Sequence, residues 1–88
     1  MVPKNERWFL YVVECSDGSL YTGITVDIDR RMNEHNSGRR GAKYTRSRRP
    51  VKLVYAEIAE GRSDASKREA AFKKLSRQKK LSKISGSV

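Results

Sequence analysis

Four side chains suited to handling a phosphodiester, Tyr11, Tyr21, Arg31 and His35, fall in one short stretch of the chain. A guanidinium holds a phosphate with a planar fork of donors, and an imidazole gives or takes a proton near neutral pH. These groups act together only if the elements that carry them bring them onto one face. The first element is a hairpin. Residues 8–15 and 19–24 alternate in β-branched and aromatic types around Ser16-Asp17-Gly18, a strong hairpin signal. A two-residue turn at Asp17-Gly18 pairs Val13 with Thr22 and leaves the tyrosines on opposite faces of the sheet. A three-residue loop with Gly18 left-handed pairs Val13 with Tyr21 and Tyr11 with Gly23, so that both tyrosines share a face. The second register is expected, because only its last loop residue needs a positive φ.

The next element is a helix starting near Asp27, a good N-cap, with Asp29 against the positive end of the helix dipole. Asn36-Ser37-Gly38 ends it with a glycine, and Ile28 and Met32 give it a narrow apolar stripe. Asp27, Arg31 and His35 follow at i, i+4 and i+8 and so lie along one stripe. Arg30 and Glu34 make a separate ion pair. An Asp27–Arg31 surface pair beside an exposed His35 accounts for the same spacing without chemistry; the two tyrosines favour a site.

Residues 39–50 read as a loop closed by Pro50, and residues 51–58 as a third strand. Ser63 is expected to cap a second helix running to about Leu75, with Ala65, Phe72 and Leu75 facing inward. Ser76 caps a short last helix whose apolar pair is Leu81 and Ile84. One domain over residues 8–84 is expected, between flexible termini at 1–7 and 85–88. The order β-β-α-β-α-α makes it an α+β domain: a three-stranded, mostly antiparallel sheet flanked by helices.

At 88 residues the chain has room for one modest core. No apolar run approaches the ~20 residues that span a bilayer, and residues 1–7 lack the features of a signal peptide. Cys15 is the only cysteine, which excludes an internal disulfide and points to the cytoplasm. On a strand it reads as a small core residue. Twenty Lys and Arg against ten Asp and Glu leave a charge of +10, which makes nucleic acid the expected partner, ahead of an anionic membrane surface. The excess concentrates in Arg39, Arg40, Lys43, Arg46, Arg48, Arg49 and Lys52, with no acid among them. Tyr44 lies between, able to stack on a base or sugar. A second group, Lys73, Lys74, Arg77, Lys79, Lys80 and Lys83, reads as an exposed helix face. Neither group carries a code for base edges, so backbone contact with strong salt dependence is expected.

The ordered set resembles the GIY-YIG nuclease domain. Phe9-Leu10-Tyr11 stands at its first tripeptide and Tyr21-Thr22-Gly23 at its second, with Arg31 in the helix and His35 four residues on. Lys43-Tyr44-Thr45, Pro50 before the third strand and Arg68-Glu69 in the next helix resemble its small stand-alone bacterial members. Phe9-Leu10 replaces Gly-Ile, and Thr22 replaces Ile, while Tyr11, Tyr21 and Gly23 are kept. The resemblance implies hydrolysis of DNA phosphodiester bonds with one divalent metal, magnesium or manganese. It implies an endonuclease selective for structure rather than sequence, linked to DNA repair or recombination and to a larger repair complex. By position, Glu69 would hold the metal, Arg31 would stabilise charge on the phosphate, and Tyr11 would orient or deprotonate water. His35 would assist Tyr11, Tyr21 would complete the pocket, and Gly23 would admit a close approach. Glu69 also stands four residues before Lys73, the spacing of an ordinary helical ion pair. Two rival readings keep the fold without turnover by the chain alone: a nucleic-acid-binding module for DNA or RNA, and a protein-interaction adaptor that recruits the activity to a larger repair complex.

Overall fold

The computed structural model of the chain describes residues 7–38 and 40–86. The expectations for residues 1–6, 87–88 and Arg39 lie outside the described residues. Strand β1 (Trp8–Glu14) is the centre of a three-stranded sheet, with β2 (Leu20–Thr25) and β3 (Lys52–Ala59) on either side, both antiparallel to it. Helix α1 (Ile28–Asn36) and the single turn α2 (Lys43–Arg46) come between β2 and β3. Helices α3 (Arg62–Lys73) and α4 (Arg77–Gly86) close the chain.

The hairpin adopts the odd-length loop. Tyr11 pairs with Gly23 and Val13 with Tyr21, and Gly18 carries φ 85°. Asp17 stabilises the bend by accepting from both the backbone N–H and the hydroxyl of Ser19, at 3.0 and 2.6 Å. The loop is also fastened from outside. Arg48 Nε donates to Asp17 at 3.1 Å, and Ser16 N–H donates to the Arg48 carbonyl at 2.9 Å. Alternation along β1 then divides the core in two. Tyr11, Val13 and Cys15 gather with Val51, and Met32 of α1 and Tyr21 pack against them. Leu10 and Val12 gather with Phe72 of α3, joined by Leu20, Val54, Tyr55, Leu75 and Ile84.

Asp27 caps α1 as expected, its side chain accepting from Arg30 N–H at 3.0 Å, and Gly38 follows the helix with φ 71°. Four details differ from the sequence reading. Part of the expected 39–50 loop winds into α2, where the Ala42 carbonyl takes the N–H groups of Thr45 and Arg46. Ser63 does not cap α3. Gly61 stands at the N-cap position and Asp64 reaches back to accept from Glu60 N–H at 2.9 Å, so a first-turn carboxylate satisfies a free donor from inside the helix. Helix α4 continues through Ser85 and Gly86 rather than fraying there. Of its apolar pair, Ile84 joins the core while Leu81 stays 41% exposed. Among the described residues no helix is long and apolar enough to cross a membrane.

The loop count sets which face Tyr21 presents, and Gly18 sets the loop. Any β-carbon at φ 85° is strained, so Gly18→Val is expected to cost about 1–2 kcal/mol in urea unfolding. A neutral result would contradict the left-handed conformation.

Candidate active site

Tyr11 and His35 are the largest polar-tipped side chains in the interior, 1% and 0% exposed. Strand β1 delivers the phenol and α1 delivers the imidazole. Tyr11 Oη lies 2.7 Å from His35 Nε2, and Arg31 Nε donates to the same oxygen at 3.3 Å. The far ring nitrogen, His35 Nδ1, lies 2.8 Å from Thr45 Oγ1 on α2. Tyr21 comes in from β2, its ring edge-on to His35 with centroids 5.4 Å apart. The four side chains expected to share a site are therefore brought together.

Gly23 has a definite role in this packing. A β-carbon there would stand 2.5 Å from Tyr11 Oη and 2.7 Å from its Cζ, so the phenol occupies the space a side chain would take. The close approach expected at Gly23 is made by Tyr11 itself. A second glycine, Gly41, has no signal in the sequence pattern but a definite place in the packing. A β-carbon at that position would meet the Glu34 carbonyl oxygen at 2.6 Å and His35 Cα at 3.0 Å. Gly41 lets the chain cross tightly over the end of α1 and carry Thr45 up to His35.

Arg31 is the electrostatic hinge of the site. Nη1 donates to Glu34 and to the Arg40 carbonyl, both at 2.9 Å. Partial burial disfavours its charge, but the bonds to Glu34 and Tyr11 outweigh that and raise its pKa. The Arg31 bond in turn holds the Glu34 carboxylate below its usual pKa. Arg30 meets Glu34 only at 3.8 Å, so the expected Arg30–Glu34 pair is secondary to this one. Asp27 is occupied as the helix cap. Burial pushes the Tyr11 phenol above its ordinary range, Arg31 works against that shift, and the charges of Tyr21 and Glu69 add to it. Glu69 itself pairs with Lys73 at 3.2 Å. Burial, reinforced by Arg31, depresses His35 to about 4. The resting pair is a neutral phenol and a neutral imidazole.

The basic loop divides by use. Arg49 caps α1, with Nε donating to the His35 carbonyl at 2.6 Å and Nη2 to the Gly38 carbonyl at 2.8 Å. Arg48 binds Asp17, donates to the Tyr44 carbonyl at 2.8 Å and lies 3.9 Å over the Tyr44 ring. Tyr44 in turn stacks on Tyr21 at 5.9 Å, which makes it a brace for the site. Arg40, Lys43, Arg46 and Lys52 have exposed side chains on this surface.

The chain matches the profile of the GIY-YIG catalytic domain over residues 7–82. It belongs to the GIY-YIG family. It is similar to the UPF0213 protein of Desulfotalea psychrophila, 56% identical over 87 residues, covering 97% of this chain and 79% of that protein. A UPF0213 protein of Syntrophus aciditrophicus is 58% identical over 76 residues, 86% of this chain and 87% of its own. The solution NMR structure of a UPF0213 protein from Bacillus halodurans covers 90% of this chain and 83% of that one. It is 46% identical, with a TM-score of 0.58. Membership of the GIY-YIG family gives the chain a nuclease-type character.

Two measurements test this geometry without substrate. Gly23→Ala must displace a buried phenol held by two hydrogen bonds, at an expected cost of about 1–3 kcal/mol; an unchanged urea midpoint would show that the ring has room. The second concerns His35, which takes a proton near pH 6.5 when unfolded but only near 4 when folded. Stability is therefore complete above about pH 6.5 and falls as pH drops toward 4, by about 3 kcal/mol from this group. Against wild type, His35→Gln is expected to flatten unfolding free energy over that interval. Parallel curves would refute the depressed pKa.

Proposed function

We propose that this protein is a divalent-metal-dependent endonuclease that hydrolyses DNA phosphodiester bonds, selecting its substrate by shape rather than by base sequence. The observation that carries the reading is the convergence of Arg31 Nε and His35 Nε2 on one tyrosine oxygen. A water oxygen attacks phosphorus while its proton passes to Tyr11 Oη and the Tyr11 proton passes to His35 Nε2. The phosphorus–oxygen bond to the leaving group breaks, and that oxygen takes a proton from solvent. Arg31 lowers the cost of negative charge on both the phenol and the phosphate. His35 holds its proton weakly, so the relay resets readily to two neutral groups. Tyr21 walls the pocket, backed by Tyr44.

Among the described residues no three His, Cys, Asp or Glu side chains could cage a metal ion. One hard carboxylate suits magnesium or manganese, which retain several waters and share phosphate oxygens. Glu69 would hold the ion, and the ion would neutralise charge on the phosphate when bound. Arg39, Arg40, Lys43 and Arg46 are assigned to the DNA backbone. Arg48, Arg49 and Tyr44 support that surface by shaping it. Backbone contact of this kind weakens steeply with salt. One observation favours a binding-only module instead: the carboxylate assigned to the metal is engaged by Lys73.

The deciding assay incubates the pure protein with nicked, branched and single-stranded DNA, with magnesium or manganese and then with chelator. Cleavage is expected to need the metal and to fall about 10²–10³-fold in Arg31→Ala and in Tyr11→Phe. Equal background from wild type and Arg31→Ala rules out the enzyme, and salt-sensitive binding without cleavage selects the module.

A further inference from the structure

Thr45 has no place in the relay described above, yet it is 0% exposed and bonded to the imidazole at its centre. Following the protons explains its position. Arg31 can only donate to Tyr11 Oη, so among the described residues the phenol's own proton finds its acceptor in His35 Nε2. Were Nε2 protonated instead, a tyrosine hydroxyl 1% exposed would be left as an unpaired buried donor, costing about 1–3 kcal/mol. Nε2 is therefore the bare nitrogen, and the ring proton sits on Nδ1. That proton needs an acceptor, and Thr45 Oγ1 is 2.8 Å away. The threonine can accept because its own hydroxyl proton has a separate destination, the Ala42 carbonyl at 3.0 Å. The three bonds run one way, Tyr11 to His35 to Thr45 to Ala42, with each donor met by one acceptor.

We propose that Thr45 is a positioning residue that locks His35 in the Nδ1–H tautomer, leaving Nε2 to take the proton of Tyr11. Its role in turnover rests on the hydrolytic reading; the tautomer does not. The Ala42 carbonyl anchors the chain of bonds because it lies at the start of α2, where it also takes two backbone N–H groups. Gly41 next to it permits the close crossing over α1. In this view the stretch from Gly41 to Thr45 is a second wall of the site, built to orient an imidazole. Any residue at 45 must accept from Nδ1 while disposing of its own proton on Ala42. Serine meets both conditions; valine, of the same shape, meets neither.

Long-range 1H–15N correlation spectra of the free protein test the tautomer. Wild type and Thr45→Ser are expected to show a protonated Nδ1 and a bare Nε2, and Thr45→Val a mixture or the reversed form. In cleavage assays Thr45→Val is expected to lower kcat about 10- to 100-fold with KM unchanged, since residue 45 does not touch substrate, and Thr45→Ser to restore it to within a few fold. A wild-type spectrum with the proton on Nε2 overturns the proposal, as does an unchanged kcat in Thr45→Val. Should Thr45→Val not fold, the wild-type spectrum and the kcat of Thr45→Ser still decide, because loss of activity in the serine variant contradicts the rescue. A wild type that cleaves no DNA sinks the nuclease reading and with it the part played by Thr45 in turnover. The spectrum still decides the tautomer.

Discussion

A buried phenol whose hydroxyl must be satisfied on both sides is the constraint from which most of this structure follows. Tyr11 lies at the centre of the sheet, 1% exposed, with its oxygen accepting from Arg31 and donating to His35. With the phenol's proton committed to His35 and its oxygen accepting from Arg31, each neighbour is held to a particular role. Gly23 must lack a side chain because the ring lies where one would be. His35 must present an unprotonated nitrogen, which requires an acceptor behind it. Arg31 must stay charged and aimed at the phenol, which Glu34 and the Arg40 carbonyl ensure. Polar networks in low dielectric stabilise a structure when complete and are costly when one member is missing. Among the described residues, no buried side-chain polar atom lacks a partner.

The same burial that organises the site also works against its chemistry. Desolvation raises the tyrosine and lowers the histidine, so both groups rest uncharged. A neutral pair is stable in the interior but is a weak base toward water. Arg31 partly offsets the penalty on the phenolate while reinforcing the depression of the imidazole. One cation thus favours loss of the tyrosine proton and disfavours its residence on histidine. This arrangement suits a relay, in which the proton crosses the imidazole without remaining there. It suits a permanent ion pair poorly.

Which of these features were readable in the chain depends on where the interaction partner is written. The hairpin register was legible because loop parity is a property of side-chain types: Gly18 alone in its loop accepts a positive φ, and that fixes the face of Tyr21. Helix and strand periods place Arg31 and His35 on one stripe and the two tyrosines on one face, while the meeting of the two sets was implied only by the family resemblance. The Lys43-Tyr44-Thr45 run carries part of the family resemblance, but nothing in its residue types marks Thr45 as a partner of the site. Its partners are an imidazole ten positions away and a backbone carbonyl. The same limit applies to Arg48 and Arg49. Counted as charges they resemble phosphate contacts, but the oxygens they bind belong largely to the main chain. At α3 the capping function passed from Ser63 to Asp64, because a carboxylate inside the first turn serves the free N–H groups as well as a hydroxyl before it.

The division of labour within the basic stretch explains how so small a chain supports a charged working surface. Seven cations in fourteen residues repel one another, and a loop made of them has no apolar reason to stay in place. Arg48 and Arg49 offset that by bonding inward, one to the hairpin loop and one to the end of α1. Their guanidinium groups join three elements that share little core. Tyr44 extends the tie, with Arg48 over its ring and its own stack on Tyr21. A substitution that removed either arginine would therefore act first on the position of α2 and Thr45, and through them on His35. Arg40, Lys43 and Arg46 stand on the scaffold these ties create, so this basic surface and the wall behind His35 are two sides of one loop.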